Sequence, residues 1–398
     1  MKGCVAQCKR FWLSETETAI DRHVRALRRH AAIVFAQQRR LRADYPYPVL
    51  TPPSRASRGL IEWLTKGRLM SPAVRDWHCL EFLCRDVRLV HAHFATDGIF
   101  YSRAAETADV PMLVSCHGHD VYRFPKLLGG LGSRMLRRLF SRVAMITAVS
   151  EHMRRAIISL GCPPDKVRTV RVGIDLTGRE FRPPTPNPLR IRIACVAGLR
   201  PKKGIPYLIE AFGKVAAERQ DAELVIVGDG PMRSKIEYCI ERNRLWGKVV
   251  LTGALRPDEV MRVLDTAHIY AQPSVTAPDG DREGIPATLM EAMARGLPVI
   301  ATRHSGIPEL VEDGVSGILV DERDGSALAE AMLTLMERSR DWETMAQAGR
   351  AFIEREHDLT KQTAVIEDLY DELLTVHDSA VVIPIGQVRP DEASRPAA

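Results

Sequence analysis

Short apolar runs alternate with amphipathic stretches along nearly the whole chain of 398 residues. A run of four to eight apolar residues bounded by turn signals is the pattern of a buried strand, and an apolar stripe at a period near 3.6 is that of a helix. The first half shows strand runs near 3–8, 32–35, 87–94 (VRLVHAHF), 111–116 (PMLVSC), 143–148 and 167–172. The second half repeats them near 191–196, 223–228, 248–252, 268–272, 298–301 and 317–320. Helical pattern falls between them, over 17–29, from the end of the 87–94 run to about 108, and after Ser150, whose hydroxyl suits an N-cap. Such alternation implies parallel sheets covered by helices on both faces. The expected fold class is therefore α/β, with two doubly wound Rossmann-like domains facing across a cleft. Phe181–Pro188 (FRPPTPNP) carries four prolines and reads as a stiff linker. It divides the chain into an N-terminal domain, 1–184, and a C-terminal domain, 185–359. Beyond 326 the pattern is helical to about 375, and 376–398 reads as a loose tail. Between 37 and 86 it weakens into basic, proline-containing sequence with one expected helix near 58–70.

Composition adds little to this picture except through charge. A content of 45% hydrophobic and 27% charged residues is that of ordinary globular protein. The formal charge of +6 conceals an asymmetry: residues 1–182 hold 31 Lys and Arg against 16 Asp and Glu, and the remainder 25 against 34. The basic half should seek anionic partners. Lys126–Val143 sharpens that expectation, with Leu131, Met135, Leu136, Leu139 and Phe140 on one helical face and Arg134, Arg137, Arg138 and Arg142 elsewhere. It reads either as an interfacial helix drawn to anionic lipid or as a core helix with a solvated basic back, and the charge of this half favours the first. The eight cysteines are scattered without CxxC pairs, as in the reduced core of a cytosolic protein, and suggest no metal site. No stretch approaches eighteen apolar residues and the N-terminus has no signal-like apolar core, so membrane contact is expected to be peripheral, at the inner face of the cell membrane.

Candidate chemistry concentrates in Asp279–Val320. Pro286 stands where a helix begins, residues 287–295 are good helix formers, and Gly296 and Pro298 end them. Gly284 and Ile285 then lie at a helix N-terminus, where free N–H groups favour an anion. Ser305-Gly306-Ile307-Pro308 repeats the construction, and two such ends suggest a diphosphate site. Glu283 precedes the helix and Glu291 lies about 7.5 Å further along its axis, a separation that suits two sugar rings at opposite ends of a diphosphate. Singly, each would be an ordinary solvated glutamate; beside the doubled Gly-Ile-Pro they read as a site. Ala197–Gly204 follows a strand and opens another helix, with Arg200 and Lys203 as candidate phosphate ligands. Neither the P-loop spacing nor GxGxxG is present. His117-Gly118-His119-Asp120 follows the 111–116 strand, at the sheet edge where ligands bind. No third metal ligand stands near those histidines, so a polar contact to substrate is expected. Asp279-Gly280-Asp281 superficially matches a metal-holding DxD but reads as loop.

EGIPATLMEAMARGLPVIATRHSGIPELVEDGVSGILV, with its E-x7-E from Glu283 to Glu291, resembles the donor-site signature of the family 4 retaining glycosyltransferases, which have the two-domain GT-B fold. LVIVGDGP (224–231), KKGIPYLIEAF (202–212), VRVGID (170–175), HAHF and HGHD fit as well, so the resemblance spans most of residues 10–360. PSVTAPDGDREGIP is similar to exopolysaccharide enzymes of the colanic-acid type. The resemblance implies that Glu283 contacts the donor hexose, that backbone N–H groups around Gly284, Ile285 and Pro286 approach sugar and phosphates, and that Glu291 holds the ribose. It implies further that Lys203 binds the diphosphate, that His117 lies beside the transferred sugar, and that a last helix, about 360–375, crosses back to the N-terminal domain. Two departures stand out: Ala197 and Gly198 stand where the family has a Gly-Arg pair, so its phosphate-binding arginine is missing and Arg200 is a candidate replacement, and Ser14-Glu15-Thr16 stands in place of its glycine-rich first loop. Ser14, Glu15 and Asp120 become the acceptor-side candidates.

The expected function is transfer of a hexosyl unit from a nucleotide diphosphate sugar to a carbohydrate or polyprenyl-linked acceptor, with His117 and Glu283 as the catalytic pair. No cofactor and no metal are expected, the leaving charge falling to Lys203, Arg200 and helix ends, and no nucleic acid is expected as partner. The competing readings are a sugar-nucleotide 2-epimerase or hydrolase on the same fold, and a non-enzymatic protein that binds anionic surfaces through the basic half.

Overall fold

The computed structural model describes residues 2–12, 18–39, 45–53 and 72–381. Ser14, Glu15, the helix expected near 58–70 and residues 382–398 lie outside them. Among the described residues, seven strands form one parallel sheet: β1 Lys2–Cys8, β2 His30–Phe35, β3 Val49–Leu50, β4 Val87–His93, β5 Met112–Cys116, β6 Met145–Ala148 and β7 Val167–Thr169, in the order β3-β2-β1-β4-β5-β6-β7. Six more form the second: β8 Ile191–Val196, β9 Ala222–Val227, β10 Val249–Gly253, β11 Ile269–Gln272, β12 Val299–Thr302 and β13 Ile318–Val320, in the order β10-β9-β8-β11-β12-β13. Both orders reverse beside the first strand, and the crevice outside the carboxyl ends at such a reversal is where α/β sheets take ligands. Helices cover both faces, so β5, β11 and β12 are buried at every residue and read as continuous apolar or small-residue runs.

The chain passes between the domains twice. Ile174 N–H donates to His357 O at 2.8 Å and Leu359 N–H to Ile174 O at 3.0 Å, so the outgoing and returning strands are tied together. A Cβ at Gly173 would stand 2.6 Å from Leu359 Cα, and only glycine allows that approach. The proline-rich stretch lies past this crossing, on the second domain, where Arg182 N–H donates to Arg295 O. The returning helix, Leu359–Val381, is longer than the pattern suggested. Ile366, Leu369, Tyr370 and Leu373 pack on Val5, Leu89, Leu113 and Met145 and cover one face of the first sheet.

The helix expected over 126–143 divides. Gly129 and Gly130 adopt φ of +62° and +93°, which ends a 3₁₀ segment at Phe124–Gly130 and starts the helix Leu131–Arg142. Leu136, Leu139 and Phe140 are 1–2% exposed in the core of the first domain. The stripe that a lipid-inserting helix would use is therefore spent on the protein's own core, and the arginines form its outer back; the interfacial assignment is corrected accordingly.

Candidate active site

Glu283 ends the loop between β11 and the helix Ala287–Arg295, and it is 7% exposed. Its backbone N–H donates to His304 Nε2 at 3.1 Å, and His304 Nδ1 lies 2.6 Å from Glu322 Oε1. Nε2 accepts, so the ring proton is on Nδ1, facing Glu322. Burial keeps His304 below the ordinary imidazole value against the pull of Glu322, as a neutral acceptor requires. Glu322 in turn accepts from Thr276 N–H at 2.7 Å, which fixes the start of the same loop. Lys203 Nζ lies 3.1 Å from Glu283 Oε1 and Lys202 Nζ 4.0 Å away. Burial alone would raise the Glu283 carboxyl; the two lysines outweigh it and hold it below the ordinary carboxylate value.

Lys203 occupies a single 3₁₀ turn, Pro201–Lys203, before the helix Ile205–Glu218. Arg200 opens that turn and is exposed, and among the described residues its guanidinium forms no ion pair, so it stands free beside Lys203 for an anion. Glu291 lies on the helix after Glu283, 9% exposed, with Arg22 Nη1 and Arg179 Nη2 each 3.2 Å from its Oε1. Arg22 reaches it from the first domain. The structure thus brings Glu283, Gly284, Ile285, Pro286, Lys203 and Arg200 to one loop cluster, with Glu291 one helix turn beyond.

His117 follows β5 on the facing domain. Its ring centroid is 4.7 Å from that of Phe94 and 6.3 Å from that of His93. Phe94 has φ +82°, a strained setting for an aromatic residue of the kind that gathers at functional sites. The two walls touch here: a Cβ on Gly284 would stand 2.5 Å from His117 O, and one on Gly118 3.2 Å from Gly284 N. Ile285 bridges the cores of both domains.

Two expectations need correction. Asp120 does not face an acceptor: it is fully buried, its Oδ1 accepting from His117 and Gly118 N–H at 3.2 and 2.8 Å and its Oδ2 from Ala95 N–H at 2.8 Å. It positions the histidine loop. The second Gly-Ile-Pro starts no helix; Ile307–Glu309 is one 3₁₀ turn, too short for an N-terminal field. Its Glu309 instead reaches the other domain, accepting from Glu151 and His152 N–H at 2.8 and 2.7 Å where the helix Glu151–Ser159 begins. The residues missed by sequence reasoning are Lys202, Glu309, Arg22 and Arg179. Lys202 was legible in the Lys-Lys doublet; the other three act across chain separations that no local pattern reports. The loop reading of Asp279-Gly280-Asp281 is matched by cation partners, Arg123 at 2.9 Å and Lys202 at 3.2 Å.

Residues 16–177 match the family model "Glycosyltransferase Family 4" and residues 179–352 the model "Glycosyl transferases group 1". The chain is 36% identical over 292 residues to the amylovoran biosynthesis glycosyltransferase AmsK of Erwinia amylovora, covering 73% of this chain and 70% of that protein. It is 34% identical to the putative colanic acid biosynthesis glycosyltransferase WcaL of Escherichia coli K12, over 68% of this chain and 66% of that one. Its fold is that of Anabaena Alr3699/HepE, solved in complex with UDP-glucose, with a TM-score of 0.75 at 19% identity over 93% of this chain and 100% of that one.

Proposed function

The chain belongs to glycosyltransferase family 4, and from that premise we propose that it moves a hexosyl unit from a nucleotide diphosphate sugar to a saccharide or polyprenyl-linked saccharide acceptor, with retention of configuration. The observation that carries this reading is the ionised Glu283, held by Lys203 and Lys202 in a loop that abuts the backbone of His117 from the opposite domain. Glu283 orients the hexose hydroxyls, and Glu291 the ribose. Lys203, Arg200 and the free N–H groups at the start of Ala287–Arg295 take up charge on the departing diphosphate. Arg22 and Arg179 exchange contacts with Glu291 for contacts with the nucleotide. His117 presents its ring beside the anomeric carbon.

A same-face route without an enzyme nucleophile is supported by the carboxylates themselves. Asp120 spends its oxygens on backbone N–H groups, and Glu283 faces lysine. Metal independence is supported by the two lysines and Arg200, which supply positive charge where a metal otherwise would. The relatives named for amylovoran and colanic acid synthesis support a role in cell-surface polysaccharide assembly. Peripheral attachment at the inner membrane face, electrostatic in kind, is supported by the charge of the first half; no described helix is long and apolar enough to cross a membrane.

Release of nucleoside diphosphate from a panel of UDP- and GDP-hexoses tests the proposal. Lys203→Ala and Glu283→Ala should each lower turnover at least about 100-fold, the order expected for loss of a charge-stabilising group, with the melting curve remaining cooperative. EDTA should leave turnover unchanged. Full activity in either variant would sink the assignment, and full loss in EDTA would sink metal independence.

A further inference from the structure

Behind His117 the first sheet, the helix Thr18–Ala26, the crossing strand and the start of the returning helix enclose a cavity of about 90 Å³. The lining is mainly apolar, with polar side chains that include His23, His91, His93, Ser115, His117 and Thr363. Several are already satisfied. His91 Nδ1 lies 2.6 Å from Tyr370 Oη and its Nε2 2.7 Å from Ser115 Oγ, and His93 Nε2 lies 2.9 Å from Gln7 Oε1. Two groups are not. Thr363 is 2% exposed and its Oγ1 has no partner, and His23 Nε2 is likewise buried and unpartnered. Leaving such atoms unpaired is costly, and a fold retains them where something else pairs with them.

The chemistry of that something is constrained. Burial pushes His91 and His93 well below the ordinary imidazole value and His23 to about 4, so these three histidines are neutral. Arg171, the cation on the wall, is 3.5 Å from Glu356. An anion finds no counter-charge inside. The space admits several waters, and with them the hydroxyl-bearing edge of a sugar. Every donor-site candidate except His117 comes from the second domain and approaches it through Gly284, whereas this cavity is walled by the first domain, the crossing and the returning helix. We propose that the cavity is a subsite for a hydroxyl-bearing edge of the acceptor saccharide, which displaces water and pairs with Thr363 Oγ1 and His23 Nε2. This rests on the glycosyl-transfer reading of the site.

Thr363→Val keeps the shape and removes only the unpaired hydroxyl, so a purely structural Thr363 predicts an equal or higher melting temperature and nothing else. Transfer from UDP-glucose, UDP-galactose and GDP-mannose to octyl glucoside and octyl galactoside is measured beside release of nucleoside diphosphate to water. The expected result is a fall of about 3- to 10-fold in kcat/KM for the glycoside, with release to water and the melting temperature not reduced. Unchanged transfer overturns the subsite, as does a parallel fall in release to water. Wild-type protein that releases nucleoside diphosphate but transfers to neither glycoside overturns it too. Wild-type protein that turns over none of the donors refutes the glycosyl-transfer reading instead.

Discussion

Asp120 shows how a single side chain holds this site without touching a substrate, and the buried histidines show how burial sets a protonation state. One carboxylate ties His117, Gly118 and Ala95 through their N–H groups, so the end of β5 and the start of the helix after β4 move as one piece. The histidines are held neutral instead. His23 and His357 are each pushed down to about 4, chiefly by burial, from an ordinary value of 6.5. Their folded values lie below their unfolded ones, so between pH 6.5 and 4 the unfolded chain binds protons that the fold refuses. Stability is then full above pH 6.5 and falls as pH is lowered, by about 1.4 kcal/mol per pH unit for each histidine once both are inside that window. Urea unfolding at pH 7.5 and 5.5 should show the lower midpoint at pH 5.5, and His23→Gln should reduce the difference, the other buried histidines keeping the rest. Equal midpoints at the two pH values would contradict it. Residue identity was legible where the chemistry is local: Glu283, Lys203 and His117 stand at strand ends and loop turns that pattern and motif both mark. Asp120 was misread because HGHD gives the spacing of the carboxylate and not its direction, and only the fold turns it inward.

At the scale of elements the strands declared themselves and some helices did not. Both sheets are buried on two faces, so their strands are apolar runs that survive inspection without any partner. Val49–Leu50 is too short to register between prolines. Pro72–Cys84 was missed because Leu80 and Leu83 are 61% and 58% exposed while Val74, His78, Cys79 and Phe82 are buried, so the apolar positions run around the helix and leave no stripe. The returning helix is the element whose role matters most for domain independence. Ile366, Leu369 and Leu373 bury about 5–9 kcal/mol of apolar side chain at about 1.5–3 kcal/mol each, against a typical domain stability of about 5–15 kcal/mol. Glu367 adds a carboxylate that accepts from Arg28 and Arg29 N–H. A fragment ending at 184 leaves Val5, Leu89, Leu113 and Met145 uncovered. It should bind a hydrophobic dye and lack a cooperative melting transition, and joining 359–381 to it through a flexible linker should restore one. A fragment that melts cooperatively on its own would show that the helix is dispensable to the first domain.

The whole molecule is held with its walls in contact, and the contacts are made by residues drawn from far apart in the chain. Gly284 abuts His117, Arg123 pairs with Asp279, and Ser305 Oγ lies 3.3 Å from Tyr122 Oη. The cleft could be inferred from two doubly wound halves, yet which residues would meet across it could not, because each sits in its own local pattern for its own local reason. Glu309 is the clearest case: the motif marked its turn for phosphate, and the assembled molecule uses its carboxylate to accept from the first two N–H groups of a helix in the other domain. A carboxylate at a helix N-terminus contributes about 0.5–2 kcal/mol in a partly buried setting, equivalent to about a 2- to 30-fold bias of the open–closed equilibrium. That bias acts on closure and not on the bonds to donor or acceptor. Glu309→Gln keeps the shape but weakens acceptance from two N–H groups at once, so the population should shift toward open forms. Small-angle scattering should report a larger radius of gyration without donor, and the donor KM should rise by up to the same factor as closure is charged against binding. The fold itself should keep its melting temperature, since both domains retain their own cores. An unchanged radius together with an unchanged donor KM would show that Glu309 is no clamp and that the remaining contacts hold the walls together without it.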